Sequence, residues 1–453
     1  MASYYWDPER GSNANSGTNP LSPVLDWNAA AIGSGTFAPG DILYVRAGSV
    51  YNAATRGRVA PAFSASPTAA LPFVVTTYGD PALRWVIDGF GTRDVGFRPV
   101  ASIDQANGPR YVTVENLEAR NLTLHGVSIA EVLDTGVTDA YNTVRNCYIW
   151  NTTGPNNAAI NIYGQGVRVE RCIVDNVAGD GILIRGQGYC GQNVVSRVSN
   201  TGSGNGDAIQ FDGGFSNSVI EWNVVDKALN RDKQAMLFVG TNSVMRFNSF
   251  EGLSIGSGLV TINQSSNVLF YGNTLEGTDG VFILDATGPC YVMGNVIIGT
   301  NPNASSADST GIDVGTTFTH QHVITNNFVK NHNQGIFARN TFCRNNVVTG
   351  CGGNGINTSV GAANESFNYS WGNGQNFTAA PGTGSSTANM SQYIDDRGRL
   401  LVPDSATMAN LASLNPLALA GTYVQGTHLF NGILRPGFVP VGAYQALLPR
   451  TLR

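Results

Sequence analysis

Charge is scarce in this chain of 453 residues. Asp, Glu, Lys and Arg together make up 13%, where a soluble domain ordinarily carries about 25%. A disordered chain or a coiled coil needs far more, so both are excluded. Lysine is nearly missing, with only Lys227, Lys233 and Lys330. The net charge is −5 and no basic run occurs, which excludes a nucleic-acid binder working through a cationic face. Rossmann, P-loop and zinc-type Cys/His spacings are missing too. Cysteine is sparse: Cys147, Cys172, Cys190, Cys290, Cys343 and Cys351 are dispersed, so they read as buried free thiols and not as a disulfide framework. No apolar run reaches the roughly 18 residues of a membrane span. The start, Met1-Ala-Ser-Tyr-Tyr-Trp6, has neither a positive nor an apolar leader region. The expectation is release without a signal peptide, or one removed beforehand.

Glycine, by contrast, is abundant, at 55 residues. Much glycine with little charge suits many short strands joined by tight turns. From Asn116 a phrase recurs, with β-formers followed by Asn or a stand-in and then an apolar patch. Its copies end on Asn116, Asn146, Arg171, Asn223, Asn248, Asn273, Asn295, Asn327 and Asn346, with one further copy near Ser196 lacking the Asn. A spacing in the twenties with strand-type residues indicates a solenoid. Stacked Asn residues would form a buried ladder, each amide bonding to the next coil and to turn backbone. A second phrase, Gly or Ala followed by apolar residues, recurs once per coil: Gly181-Ile-Leu-Ile, Ala208-Ile-Gln-Phe, Ala235-Met-Leu-Phe, Gly280-Val-Phe-Ile, Gly311-Ile-Asp-Val and others. Two phrases per coil mean at least two strands on different faces. The expected fold is all-β, a right-handed parallel β-helix of about ten to twelve coils. Residues 1–40 read as a cap, 41–371 as the helix, 372–392 as a low-complexity linker and 393–453 as a capping tail with a short helix over Ser405–Leu414.

Several segments resemble the pectate-lyase-like superfamily of right-handed parallel β-helix proteins over nearly the whole chain. Tyr4-Tyr5-Trp6 with Gly11-Ser-Asn-Ala-Asn-Ser-Gly-Thr-Asn-Pro20 looks like that family's N-terminal cap. Gly40-Asp41 with Val45-Arg-Ala-Gly48 looks like a first coil, and Phe73–Gly79 with Val86-Ile-Asp-Gly89 like a second. Asp396–Leu400, Asn431-Gly432 and Val441–Tyr444 resemble the closing segment of bacterial and phage members. The resemblance implies the fold and a carbohydrate ligand. It does not choose a reaction, since the superfamily holds lyases, hydrolases, epimerases, tailspike depolymerases and non-catalytic members.

Candidate chemistry lies in the residue before the second phrase. In register this gives a column of Asp180, Asp207, Gln234, Ser257 and Asp279. Asp180 and Asp207 would stand about 5 Å apart on neighbouring rungs. That separation suits paired carboxylates of a glycosidase, or a Ca²⁺ site. Arg185 and Asp212 follow five residues on, and Arg185 could clamp a substrate carboxylate or sulfate. Alternation puts Gln210 and Asp212 on the solvent side, with Ile209 and Phe211 inside. The cluster Asn230-Arg231-Asp232-Lys233-Gln234 is the one strongly charged stretch of the repeats. Lys233 would be a lyase base, with Arg231 neutralising an adjacent carboxylate and Asp232 and Gln234 binding substrate. The catalytic candidates are therefore Asp180, Asp207, Asp212 and Lys233, and the substrate-binding ones Arg185, Gln210, Arg231, Asp232 and Gln234. Trp150, Tyr163, Tyr189 and Phe215 are read as core packing, with stacking on sugar faces as the alternative.

Three functions fit. The first is a tailspike-type depolymerase on a bacterial surface polysaccharide, at the virion tail or otherwise extracellular, with a homotrimer and other tail proteins as partners by analogy. The second is a non-catalytic receptor-binding virion protein. The third is a secreted bacterial lyase or hydrolase. No cofactor is required, Ca²⁺ being an option, and neither nucleic acid nor membrane insertion is expected.

Overall fold

The computed structural model describes residues 1–29, 36–99, 109–129, 140–155, 157–198, 206–227, 234–252, 258–302, 309–315, 320–358, 364–366, 368–389 and 391. It divides into two compact units, Met1–Val239 and Gly240–Arg453. Each is a right-handed parallel β-helix built from three sheets, and a coil contributes one strand to each sheet.

One coil of the first unit shows how the sequence makes the turn. Val112–Glu115 lies in the first sheet, Leu117–Leu122 in the second and His125–Ile129 in the third. Val112, Val114, Leu117, Ala119, Leu122, Val127 and Ile129 are all fully buried. The alternation of strand side chains sends these into the coil and leaves Thr113, Glu115, Glu118 and Arg120 outside. The corner between the first two strands is a single residue, Asn116, with a left-handed φ of 57°. The strands pair in parallel with the next coil: Val114 with Val144, Ala119 with Ile149, and Val127 with Ile160. The cap adds its own rung, because Ser3–Trp6 pairs residue for residue with Ile42–Val45.

The second unit repeats the plan. Val268–Tyr271, Thr274–Gly277 and Val281–Leu284 form one coil, stacked on Cys290–Met293, Val296–Gly299 and Thr310–Val314. Its third sheet continues through Gln334–Phe337 and Asn354–Asn357 to Gln375–Phe377. Composition had placed this last strand in a linker. Gln375–Phe377 instead pairs with the coil before it, and Ser386 bridges Tyr369. The tail 393–453, including the expected helix at 405–414, lies outside the described residues.

An asparagine ladder is present, but its register corrects the expected one. Asn116, Asn146 and Arg171 occupy the left-handed corner, with φ of 57°, 55° and 56°. The buried ladder runs one residue later: Leu117, Cys147, Cys172, Asn193 and Asn223 in the first unit. In the second it comprises Asn248, Asn273, Asn295, Asn327, Asn346 and Asn368. The copy read as lacking its Asn therefore has one, Asn193. Each amide works in both directions. Asn295 Nδ2 donates to Phe270 O at 3.1 Å and to Asn327 Oδ1 at 2.9 Å, while Asn295 Oδ1 accepts the Asn273 backbone N–H at 2.9 Å. Where Asn gives way to Cys, the thiol takes over the backward bond. Cys172 Sγ donates to Val144 O at 3.6 Å, as Asn193 Nδ2 donates to Val169 O at 3.0 Å. All six cysteines are buried free thiols, as expected.

Glycine in the second phrase is explained by contact between coils. A Cβ on Gly280 would stand 1.8 Å from Gly311 O, and one on Gly181 2.4 Å from Ala208 O. Backbone occupies the space that any side chain there would need.

Candidate functional site

The third sheet of the first unit holds the sequence-derived candidates. Its strands include His125–Ile129, Ala158–Tyr163, Asp180–Arg185 and Ile209–Ser216. Ile160, Ile162, Ile182, Ile184, Ile209 and Phe211 point inward and are buried. The outer face therefore carries Ser128, Asn161, Leu183 and Gln210 in one register column. Tyr163, Arg185 and Asp212 form the next column on the same face.

Asp180 and Asp207 lie at the entry to this sheet, and they are 7% and 5% exposed. Their carboxylates join successive coils. Asp180 Oδ1 accepts the Asp207 backbone N–H at 2.8 Å, and Asp207 Oδ1 accepts the Gln234 N–H at 3.1 Å. A charge-assisted acceptor of this kind satisfies corner N–H groups that would otherwise be buried unpaired. Asp279 does the same in the second unit, accepting from Thr310 N–H at 3.2 Å. It is in register with Gly258, one position from the expected column, as the pairing of Val260 with Val281 requires. Ser257 lies outside the described residues, as do Asn230, Arg231, Asp232 and Lys233, while Gln234 is half-buried.

Arg185 and Asp212 are brought together on the open face, with side chains 38% and 44% exposed. Arg185 Nε is 3.9 Å from Asp212 Oδ2, a loose ion pair. Arg185 Nη1 donates to the Tyr163 hydroxyl, and the guanidinium carbon stands 5.2 Å from the centre of the Tyr163 ring. Two buried polar atoms here have no hydrogen-bond partner, Asn161 Oδ1 and Arg185 Nε. One is an acceptor and the other a donor, so together they match a ligand rich in hydroxyl or anionic oxygen groups. Tyr163, read mainly as core, is thus part of the outer cluster. Its place at the end of the strand, after the buried Ile160 and Ile162, was the available signal.

The other three aromatic candidates are not core residues either, since Trp150, Tyr189 and Phe215 are half-exposed. Trp150 stands in the second sheet, where its Nε1 donates to Glu118 at 3.2 Å and its ring stacks with Tyr148 at 6.2 Å between centroids. Tyr189 stands in the first sheet under Arg168, 4.4 Å from its ring centre. Neither shares a face with Arg185.

The second unit has an acidic group that sequence reasoning did not select. Asp313 lies on the outer face of its third sheet, in register between Phe282 and Phe337. Burial pushes its carboxyl above the ordinary range, against the opposing pull of Arg339. Arg339 Nη1 donates to Asp313 Oδ1 at 3.3 Å and to Val314 O at 2.7 Å. The signal was Asp in the third place of Gly311-Ile-Asp-Val, where alternation points outward. Among the described residues no group of three or more His, Cys, Asp or Glu side chains is arranged to hold a metal ion.

No family model matches the chain, and no curated protein sequence does either. Solved structures do match. A PL6 family alginate lyase, AlyGC, superposes with a TM-score of 0.57 at 13% identity, covering 82% of this chain and 53% of the lyase. The GH136 lacto-N-biosidase from Eubacterium ramulus gives a TM-score of 0.51 at 13% identity, covering 84% of this chain and 67% of that one. The chain thus spans about half the length of the lyase and two thirds of the biosidase. At such identities the likeness is one of fold, and what these structures share with this chain is the parallel β-helix.

Proposed function

We propose that this protein binds a bacterial surface polysaccharide on the outer face of the third sheet in its first unit and cleaves it there, as a tailspike-type depolymerase does. The observation that carries the reading is the pair of buried atoms without a hydrogen-bond partner, Asn161 Oδ1 and Arg185 Nε, beside Tyr163, Gln210 and Asp212. A ligand with hydroxyl or anionic oxygen groups can satisfy them. The fold likeness to a lyase and a glycoside hydrolase supports a glycan as that ligand. In this reading Arg185 neutralises developing negative charge, Tyr163 or Asp212 exchanges a proton with the substrate, and Asn161 and Gln210 hold hydroxyls. Lys233, Arg231, Asp232 and Gln234 belong to the same proposal by sequence position. Asp180 and Asp207 set the spacing of the rungs beneath. The protein acts outside the cell, with no cofactor required, and chelator treatment tests any part for Ca²⁺.

A second reading, glycan binding without catalysis, is favoured by one observation: the Asp180 and Asp207 carboxylates are buried and bonded to backbone. Incubation with bacterial capsule and exopolysaccharide panels separates the two. Unsaturated-uronate absorbance marks a lyase, and new reducing ends without it mark a hydrolase. Retention of intact glycan with neither signal supports binding alone. Absence of binding and cleavage across the panels overturns the proposal.

A further inference from the structure

The first sheet of the Gly240–Arg453 unit carries an arginine without a counter-charge. Three successive strands of that sheet are His322–Thr325, Thr341–Arg344 and Asn364–Ser366. Ile324 and Cys343 point inward and are fully buried, so alternation turns Thr325 and Arg344 to the outer face. The register sets Thr325, Arg344 and Ser366 level in one column. Among the described residues no carboxylate pairs with Arg344. The acid beside the column, Glu365, is engaged elsewhere. It accepts from Asn368 Nδ2 at 2.7 Å, from the Gly382 N–H and from the Ser385 hydroxyl. The same column in the first unit shows the usual arrangement, where Arg145 Nε meets Glu115 of the neighbouring strand at 2.5 Å.

Four buried polar atoms around Arg344 have no hydrogen-bond partner: Arg344 Nε, Ser366 Oγ, Asn326 Oδ1 and Asn345 Oδ1. Asn326 and Asn345 are the corner residues that follow Thr325 and Arg344, with φ of 60° and 54°. Side chains at these two positions do reach each other in this fold, since Arg171 at a corner stands 3.5 Å from Glu170, the outer residue before it. The Arg344 guanidinium is steadied from one side by Phe342, with its carbon 5.2 Å from the ring centre. Arg344, Asn326 and Asn345 are half-buried residues, so side-chain rotation alone brings their unmet atoms to the surface.

We infer that this column is a binding subsite for an acidic sugar, a hexuronate unit whose carboxylate lies on the Arg344 guanidinium and the Ser366 hydroxyl and whose ring hydroxyls meet Asn326 Oδ1 and Asn345 Oδ1. Two needs select that class. A guanidinium partly withdrawn from water, with no acid of its own, is matched by a carboxylate that fits its planar fork. The two amide oxygens need hydrogen-bond donors, which sugar hydroxyls supply and a simple anion does not. A neutral hexose meets only the second need and a small carboxylate only the first. The site lies on a different sheet and a different unit from Arg185, and it rests on the proposed function only for the polymer to which the acidic unit belongs.

The test uses the full chain carrying Arg185→Ala, which silences the site proposed in the first unit. Saturation-transfer NMR is run at neutral pH with glucuronic acid, galacturonic acid and glucose, and with acetate as competitor. At least one uronate is expected to receive saturation, and glucose much less. Acetate at the uronate's concentration should leave most of that signal. Adding Arg344→Gln should weaken uronate binding about tenfold, the effect of losing one charge-assisted pair. Asn345→Gly keeps the left-handed corner and should weaken it about threefold, through one lost acceptor. Unchanged thermal unfolding shows that the variants are folded. Arg344→Lys, which keeps the charge and loses the fork, gives a second reading should Arg344→Gln unfold, and it too should bind more weakly. Transfer to neither uronate, equal transfer in the variants, glucose matching the uronates, or displacement by acetate overturns the subsite. Failure of the first-unit proposal shows as unaltered polysaccharide cleavage or retention in Arg185→Ala, and failure here shows in the uronate signal of that same protein.

Discussion

Arg185 and Asp212 are register partners on neighbouring strands, yet their charged atoms stay 3.9 Å apart. Both are more than a third exposed, and exposed pairs of this kind contribute little to stability. Arg185→Ala and Asp212→Asn are therefore expected to unfold at the wild-type temperature within a few degrees. If the site is catalytic, each lowers polysaccharide cleavage by about 100-fold, as loss of an electrostatic stabiliser does. Melting curves alongside cleavage assays check this. Full activity in both variants would remove these residues from the site.

Asp180 separates a structural from a chemical role. Asp180→Ala removes the acceptor for the Asp207 N–H and should cost about 1–3 kcal/mol. Asp180→Asn retains an oxygen there and is expected to be nearly neutral in chemical denaturation. A folded Asp180→Asn protein that has lost cleavage would show that its carboxylate takes part in the reaction.

The corrected ladder register makes a sharp prediction. Asn273→Ala leaves the Met245 carbonyl and the Asn248 N–H without their partner, a loss of about 2–4 kcal/mol for two buried groups. Asn116→Ala exchanges a corner residue with positive φ and should cost about 1 kcal/mol through the backbone alone. Urea denaturation of the two variants should rank them in that order. The register fails if Asn116→Ala is the more damaging.

Gly280→Ala is expected to prevent folding or to destabilise severely, since its Cβ would overlap Gly311 O and backbone on both sides is fixed by pairing. Soluble expression and circular dichroism report the outcome. A folded protein of wild-type stability would mean that the coils can part at this rung.

Acid should weaken the second unit through two histidines. Burial holds both His322 and His332 down to about 4, with nearby His320 adding to the effect at His322. Above about pH 6.5, the unfolded-state value, both are neutral in either state and have no effect. As the pH falls from there towards 4, the unfolded chain takes up protons that the folded one refuses. Stability then drops by roughly 1.4 kcal/mol per pH unit for each histidine. Urea midpoints between pH 7 and 4.5 measure it, and His332→Gln should flatten the slope. An unchanged slope in that variant would assign the acid sensitivity elsewhere.

The solenoid was legible because its signal is repetition: the phrases around Asn223, Asn273 and Asn327 recur with strand-forming residues on either side. The register of the first coils was not. Asn116 and Asn146 are asparagines for a different reason, tolerance of left-handed φ, while Cys147 and Cys172 fill the ladder place with a weaker donor. Two physical demands in adjacent positions favour the same residue type, and only backbone pairing tells them apart. The outer faces were partly legible. Alternation placed Gln210 and Asp212 correctly on the solvent side, and the equal five-residue steps from Asp180 and Asp207 set Arg185 level with Asp212. It could not show that Asp180 and Asp207 turn their carboxylates to backbone N–H groups, because an aspartate before a glycine or alanine reads alike in both roles. Asp313 escaped notice because its distinguishing property, flanking by Phe282 and Phe337, comes from residues 31 positions before and 24 positions after it in the chain.

The amide ladder of the second unit also bears on heredity. Asn273, Asn295, Asn327 and Asn346 each receive from one neighbour what they pass to the next, and the chain distance between them is free to vary from 19 to 32 residues. A duplicated or deleted stretch of gene that spans one whole period would bring its own donor and acceptor with it. The surviving coils would find identical partners across the splice. Length in such a protein can therefore change in whole coils over generations without a compensating substitution elsewhere, whereas a change by a fraction of a coil would leave one amide facing the wrong group.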